Sequence, residues 1–169
     1  MTFAVSPILV GVIAALSVAA IVATAAYFYF RAESSKIPFK PLPGPYVQAM
    51  YLAPYGVEPE RILAALQNAA SALAQETKWD HVQINAAFQS IRVFVAMSES
   101  WVDSWGRTVG GTQQGYVVAV GRSLTALCHE CAHYLEWKLD GEIDTEHASW
   151  GADGIWDADV AYRRWLSAP

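Results

Sequence analysis

The chain has 169 residues, 54% of them hydrophobic and only 16% charged, with a formal net charge of −5. A composition this apolar excludes a disordered tail. The lack of a basic cluster argues against a nucleic-acid partner, and two cysteines cannot build a disulfide framework.

All 11 Lys and Arg and all 16 Asp and Glu lie at or beyond Arg31, so the average conceals two materials. Residues 7–30 read PILVGVIAALSVAAIVATAAYFYF without a charge. A bilayer core of ~30 Å takes ~20 apolar helical residues, so this run predicts a transmembrane anchor over residues 1–32. Tyr27, Phe28, Tyr29 and Phe30 stand where an interfacial aromatic belt would lie. A cleaved signal around Ala23-Thr24-Ala25 is the weaker reading, because no cation precedes the run and it continues past that site. Arg31, Lys36 and Lys40 form the positive flank. The expectation is therefore a single-pass membrane protein with its globular part on the cytoplasmic side. Gly11, Ala15, Ala19 and Ala23 recur every four residues, a small-residue stripe suited to packing against a partner helix in the membrane.

Residues 33–57 are rich in proline and predict a stiff spacer or surface-hugging loop. A globular domain is expected from 58 to 169. Pro59 opens a predicted helix over 58–77, with Ile62, Leu63, Leu66, Ala69, Ala70 and Leu73 on its apolar stripe. Residues 90–97 and 116–120 have strand composition, separated by a loop with Trp101, Trp105 and Gly110-Gly111. Ser123 is the expected cap of a helix from Leu124 to about Leu139, stopped by Asp140-Gly141, and a last helix is expected over 157–166.

The predicted third helix carries His129-Glu130-Cys131-Ala132-His133, an H-E-x-x-H. Residues four apart share a helix face, so two imidazoles can converge on one Zn²⁺. The glutamate beside them can take a proton from water that the metal acidifies. At about 100° per residue, Leu124, Leu127, Cys128, Cys131, Leu135 and Leu139 fall on one face and the motif on the other. Cys128 and Cys131 then read as small buried hydrophobes rather than a C-x-x-C site. A catalytic zinc takes three protein ligands and keeps one position open. His147, 14 residues beyond His133, is the first choice for the third ligand, with Glu142, Asp144 and Glu146 as rivals. Residues 130–159 hold nine acids against Lys138 alone. They read mainly as solvated loops, or as a preference for basic substrate, with Asp144 a candidate to orient a ligand imidazole.

A strand, a turn at Gly121-Arg122 and a helix bearing H-E-x-x-H together resemble the core of the zincin metallopeptidases, over about residues 90–150. The resemblance implies His129 and His133 as zinc ligands, Glu130 as general base, and an edge strand ahead of the helix that binds extended peptide. The metzincin continuation is absent, since Trp137 and Asp140 stand where it wants Gly and His. Tyr134 and Tyr162 are candidates for a transition-state hydroxyl. The expected fold is thus α+β: a single N-terminal transmembrane helix plus a small zincin-like domain with a short antiparallel sheet packed on the active-site helix. The expected function is that of a membrane-anchored, zinc-dependent hydrolase, a metallopeptidase or an enzyme acting on another amide such as a cell-wall peptide bridge. The competing expectation is a structural membrane protein, for instance of a membrane-containing virus particle, with a structural or idle metal site.

Overall fold

The computed structural model of the chain describes residues 38–102 and 106–168. Contacts divide the chain into two units, Met1–Pro38 and Phe39–Pro169, and every element below belongs to the second. Its strands are β1 (Lys40–Pro41), β2 (Met50–Leu52), β3 (Arg92–Val95), β4 (Trp101–Val102), β5 (Thr108–Val109), β6 (Gly111–Gln114) and β7 (Val117–Val120). Its helices are α1 (Pro59–Glu76), α2 (His81–Phe88), α3 (Leu127–Leu135) and α4 (Ile155–Leu166). Five strands form one sheet in the order β1-β2-β3-β7-β6, and β4 pairs with β5 separately.

Two expectations are corrected here. No helix among the described residues is long and apolar enough to cross a membrane. The longest, α1, has 18 residues but carries Glu60, Arg61 and Glu76 and is amphipathic. The expected fold with a transmembrane helix, and the single-pass location with a cytoplasmic domain, give way to an α+β unit of four helices and two sheets. Residues 7–30, with the stripe Gly11, Ala15, Ala19 and Ala23, lie outside the described residues.

The second correction is to the sheet, which is mixed rather than antiparallel. β2, β3 and β7 run parallel, and only the edges, β1 on β2 and β6 on β7, are antiparallel. Parallel neighbours require long crossovers. Helices α1 and α2 supply the one between β2 and β3. The proline-rich stretch, read as a spacer, provides β1 and β2 and buries Leu42, Tyr46 and Ala49.

Helix α1 forms as its pattern predicts. Pro59 occupies the first turn, and Ile62, Ala65, Leu66, Ala69, Ala70 and Leu73 are buried. Helix α2 was missed in the sequence, although Asp80 and Gln83 form a full capping box. One sheet face, through Val93, Val95, Val118 and Val120, joins the helices in a single core that includes Phe88, Leu127, Cys128, Cys131, Leu135 and Tyr162. Both thiols are buried and free.

Gly154 precedes α4 at φ +75°, and a Cβ there would overlap the carbonyl oxygen of Glu76. Gly115, at φ +55°, has open space around it. Gly154→Ala is expected to destabilise the fold by about 2 kcal/mol or more, and Gly115→Ala by about 1. Denaturant titration of the two variants checks the ranking, and equal losses would contradict it.

Candidate metal centre

Helix α3 starts at Leu127, three residues later than Ser123 capping implies. Ser123 is engaged elsewhere: its N–H and hydroxyl both donate to the Glu99 carboxylate, the hydroxyl at 2.5 Å. Leu124 adopts φ 65° and is anchored by Tyr162, whose hydroxyl donates to its carbonyl at 2.8 Å. At the other end, residues Glu136–Asp140 widen into a π-helical turn, closed by Gly141 at φ 80°. The wider turn shifts the helical phase. Leu139, expected inside, is exposed, and Glu136 is buried.

Glu136, one helical turn beyond His133, completes the site. The Glu136 carboxylate accepts three hydrogen bonds: from His133 Nδ1 at 3.1 Å, from Trp150 Nε1 at 2.8 Å and from the Asp144 N–H at 3.3 Å. A carboxylate facing Nδ1 puts the proton there and leaves the Nε2 lone pair for a metal. Glu136, not Asp144, is therefore the acid that orients a ligand imidazole. Asp144 instead ties its own turn, accepting from the N–H groups of Glu146 and Ser149 at 3.2 and 2.8 Å. Those bonds, led by Ser149, hold its carboxyl below the usual value. The turn delivers His147, whose φ of 59° is the left-handed conformation few side chains adopt.

His129, His133 and His147 meet, each offering one nitrogen, and these atoms lie within 4.8 Å of one another. The His133 and His147 Nε2 atoms are 3.1 Å apart. Two nitrogens on a tetrahedral zinc, each ~2.05 Å from it, would be about 3.3 Å apart, so this donor set fits the ion. Of the rivals, Glu142, Asp144 and Glu146 are outside the cluster, and no fourth His, Cys, Asp or Glu joins it among the described residues. His81 opens α2 and takes no part. Trp150 is the floor. It is fully buried, with its ring centre 4.6 Å from those of His129 and His133 and 4.3 Å from that of His147. Trp156 stands beside it, 5.6 Å from His147.

These neighbours set the protonation states. Burial, then the charges His133 and His147 would carry, push His129 down to about 3. Burial also lowers His147. Neutral imidazole is the form that binds metal.

Glu130 is buried as well, a change from the solvent-facing placement expected of the motif. Strand β6 covers it, and a Cβ at Gly111 would come within 2.6 Å of its Cγ and Oε1. The second glycine of Gly110-Gly111 thus serves close approach, not only a turn. Burial, then Asp159, raises the Glu130 carboxyl to about 8. Glu130 and the three histidines line one cavity of about 610 Å³, together with Arg107, Gly110 to Gln113 and Arg163. Trp101 does not line it, and Trp105 lies outside the described residues. Neither candidate tyrosine reaches it. The Tyr134 hydroxyl donates to the Ala87 carbonyl at 2.9 Å, and the Tyr162 hydroxyl is held by Leu124.

Sequence reasoning missed Glu136, Trp150 and Arg163. Glu136 alone had a readable signal, since it lies three residues after His133.

Two outcomes follow from this geometry. Glu136→Gln should weaken zinc binding about 10- to 100-fold, by competition with a chelator of known affinity. Unchanged affinity would remove Glu136 from the site. The second concerns chelator-treated protein. Glu130 has a folded value of about 8 against 4.5 for the free group, so the folded state holds the extra proton between them. Its contribution is full below about 4.5 and is lost as pH rises through 8. His129 acts oppositely, but only between about 3 and 6.5, where the unfolded state binds the proton. From pH 6.5 to 8.5 the urea midpoint should therefore fall in the wild type and stay flatter in Glu130→Gln. Parallel curves would contradict the burial of an uncharged Glu130.

No family model, no curated protein and no solved structure matches this chain.

Proposed function

We propose that the protein is a zinc-dependent hydrolase of zincin type that cleaves an amide bond, most simply in a peptide. The observation that carries this reading is one cavity lined by three convergent histidines and by a buried glutamate from the helix that bears two of them, with no fourth protein ligand joining them among the described residues. A closed structural zinc site takes four protein ligands and needs no glutamate there.

When bound, zinc would supply a Lewis acid that acidifies water and polarises a carbonyl. The chain's own residues do the rest. Once ionised, as a neighbouring dication would favour, Glu130 takes a proton from the attacking water as the water oxygen bonds to the amide carbon. It then delivers that proton to the leaving nitrogen as the C–N bond breaks. Gly111, lacking a side chain, lets β6 lie against the Glu130 carboxyl. Strand β6 pairs only with β7, so its other edge has no strand partner among the described residues. The residues from Gly110 to Gln113 line the cavity. An extended peptide added at this edge would pass the histidines with its backbone hydrogen-bonded. On this reading the peptide-binding edge is β6, whereas the zincin resemblance implied the strand just before the helix, β7, which is interior to the sheet.

The test uses the purified full chain loaded with zinc and a mixed library of internally quenched peptides. Glu130→Gln should keep zinc and lose hydrolysis by about 10²- to 10⁴-fold. His129→Ala should lose both zinc and activity. Zinc-loaded wild type that cleaves no peptide would favour an idle metal site, and a Glu130→Gln variant as fast as wild type would remove the general base.

A further inference from the structure

The chain is acidic overall, and nine acids crowd residues 130–159. The cavity is different. Among the described residues the only acid lining it is Glu130, and the permanently charged groups lining it are the guanidinium groups of Arg107 and Arg163. The preference for basic substrate that the acid-rich sequence suggests is not what the wall offers.

Arg163 is also held in place. Its Nη2 donates to Asp159 Oδ2 at 2.8 Å, across one turn of α4. Asp159 is 4% exposed, and its other oxygen, Oδ1, has no hydrogen-bond partner. A buried carboxylate with an unsatisfied oxygen costs stability, and a buried ion pair seldom repays that cost. What the pair does achieve is to fix one guanidinium at the cavity wall. Arginine has five N–H donors in a planar fork matched to carboxylate, and Asp159 uses one of them. Arg163 lines the same cavity as His129, His133 and His147.

Building on the hydrolase reading, we propose that the cavity selects a substrate bearing a carboxylate near the scissile amide, with Arg163 as its anchor and Asp159 as the residue that positions Arg163. The carboxylate is either a free peptide C-terminus or an Asp or Glu side chain beside the cleaved bond. Both present the same planar anion to the guanidinium fork.

The test measures binding, so it needs no substrate. Two small hydroxamates are titrated calorimetrically into zinc-loaded full-length protein: succinic monohydroxamate, and its primary amide in which the carboxylate is neutral. The carboxylate compound should bind about tenfold or more tightly than the amide, the scale of a hydrogen bond to a charged group. Equal affinities would overturn the carboxylate anchor while leaving the metal site standing. Binding of neither compound would overturn both. The double variant Arg163→Gln/Asp159→Asn avoids leaving a buried acid unpaired and should erase the preference without weakening the amide compound. Arg163→Lys should retain part of the preference. A preference that survives in the double variant would remove Arg163 from the role. Competition then separates the two sources. A short peptide with a free C-terminus, its amidated form, and the amidated form with Asp beside the central bond are each set against the bound hydroxamate. Stronger displacement by the first assigns a terminal carboxylate, and by the third a side chain. No advantage of either over the amidated neutral peptide overturns the proposal.

Discussion

The buried carboxylate of Glu136 holds this site together. It receives the Nδ1 of His133, the indole N–H of Trp150 and the backbone N–H of Asp144. A buried charge is tolerable when its lone pairs are filled, and these three donors come from three separate places in the chain. One acid therefore aligns an imidazole, locks the aromatic floor and pins the loop that brings in His147. The i, i+3 spacing sets Glu136 beside His133 on the same helix face, while the widened turn over Glu136–Asp140 leaves Leu139 exposed. The same carboxylate couples helix α3 to the turn at residues 144–149.

The second organising contact is that of β6 with α3. Gly111 lets the strand lie against Glu130, which removes the acid from bulk water and leaves it on the wall of the cavity. Partial burial of His129 and His147 beside this acid favours their neutral imidazole forms. The arginine-bearing helix α4 closes another side of the same cavity. Arg163 draws its position from a buried aspartate rather than from the surface.

Much of the candidate site's geometry was legible because it is local. The i, i+4 spacing of His129 and His133 fixes a shared helix face whatever the fold, and α1 follows its own apolar stripe. His147 was readable as the first choice among four candidates. Its selection depends on a turn tied by Asp144 and on a left-handed backbone that no spacing rule reveals. Ser123 looked like a helix cap and was instead taken by Glu99, 24 residues earlier in the chain. Strand direction was hidden for a similar reason. The pattern at 90–97 and 116–120 shows two strands, but whether they run parallel depends on what joins them. Burial of Glu130 was also out of reach, since it comes from a glycine on a strand that carries Thr and Gln and has little strand signature.

The central claim, that three imidazoles hold one zinc with a position left open, is tested most directly by zinc-edge X-ray absorption on the full chain loaded with one equivalent of the metal. The account predicts a first shell of four light atoms at about 2.0–2.1 Å, with the outer-shell pattern of three imidazoles and one oxygen from solvent. Sulfur scattering near 2.3 Å, a shell with fewer than three imidazoles, or failure of the chain to retain zinc would contradict it.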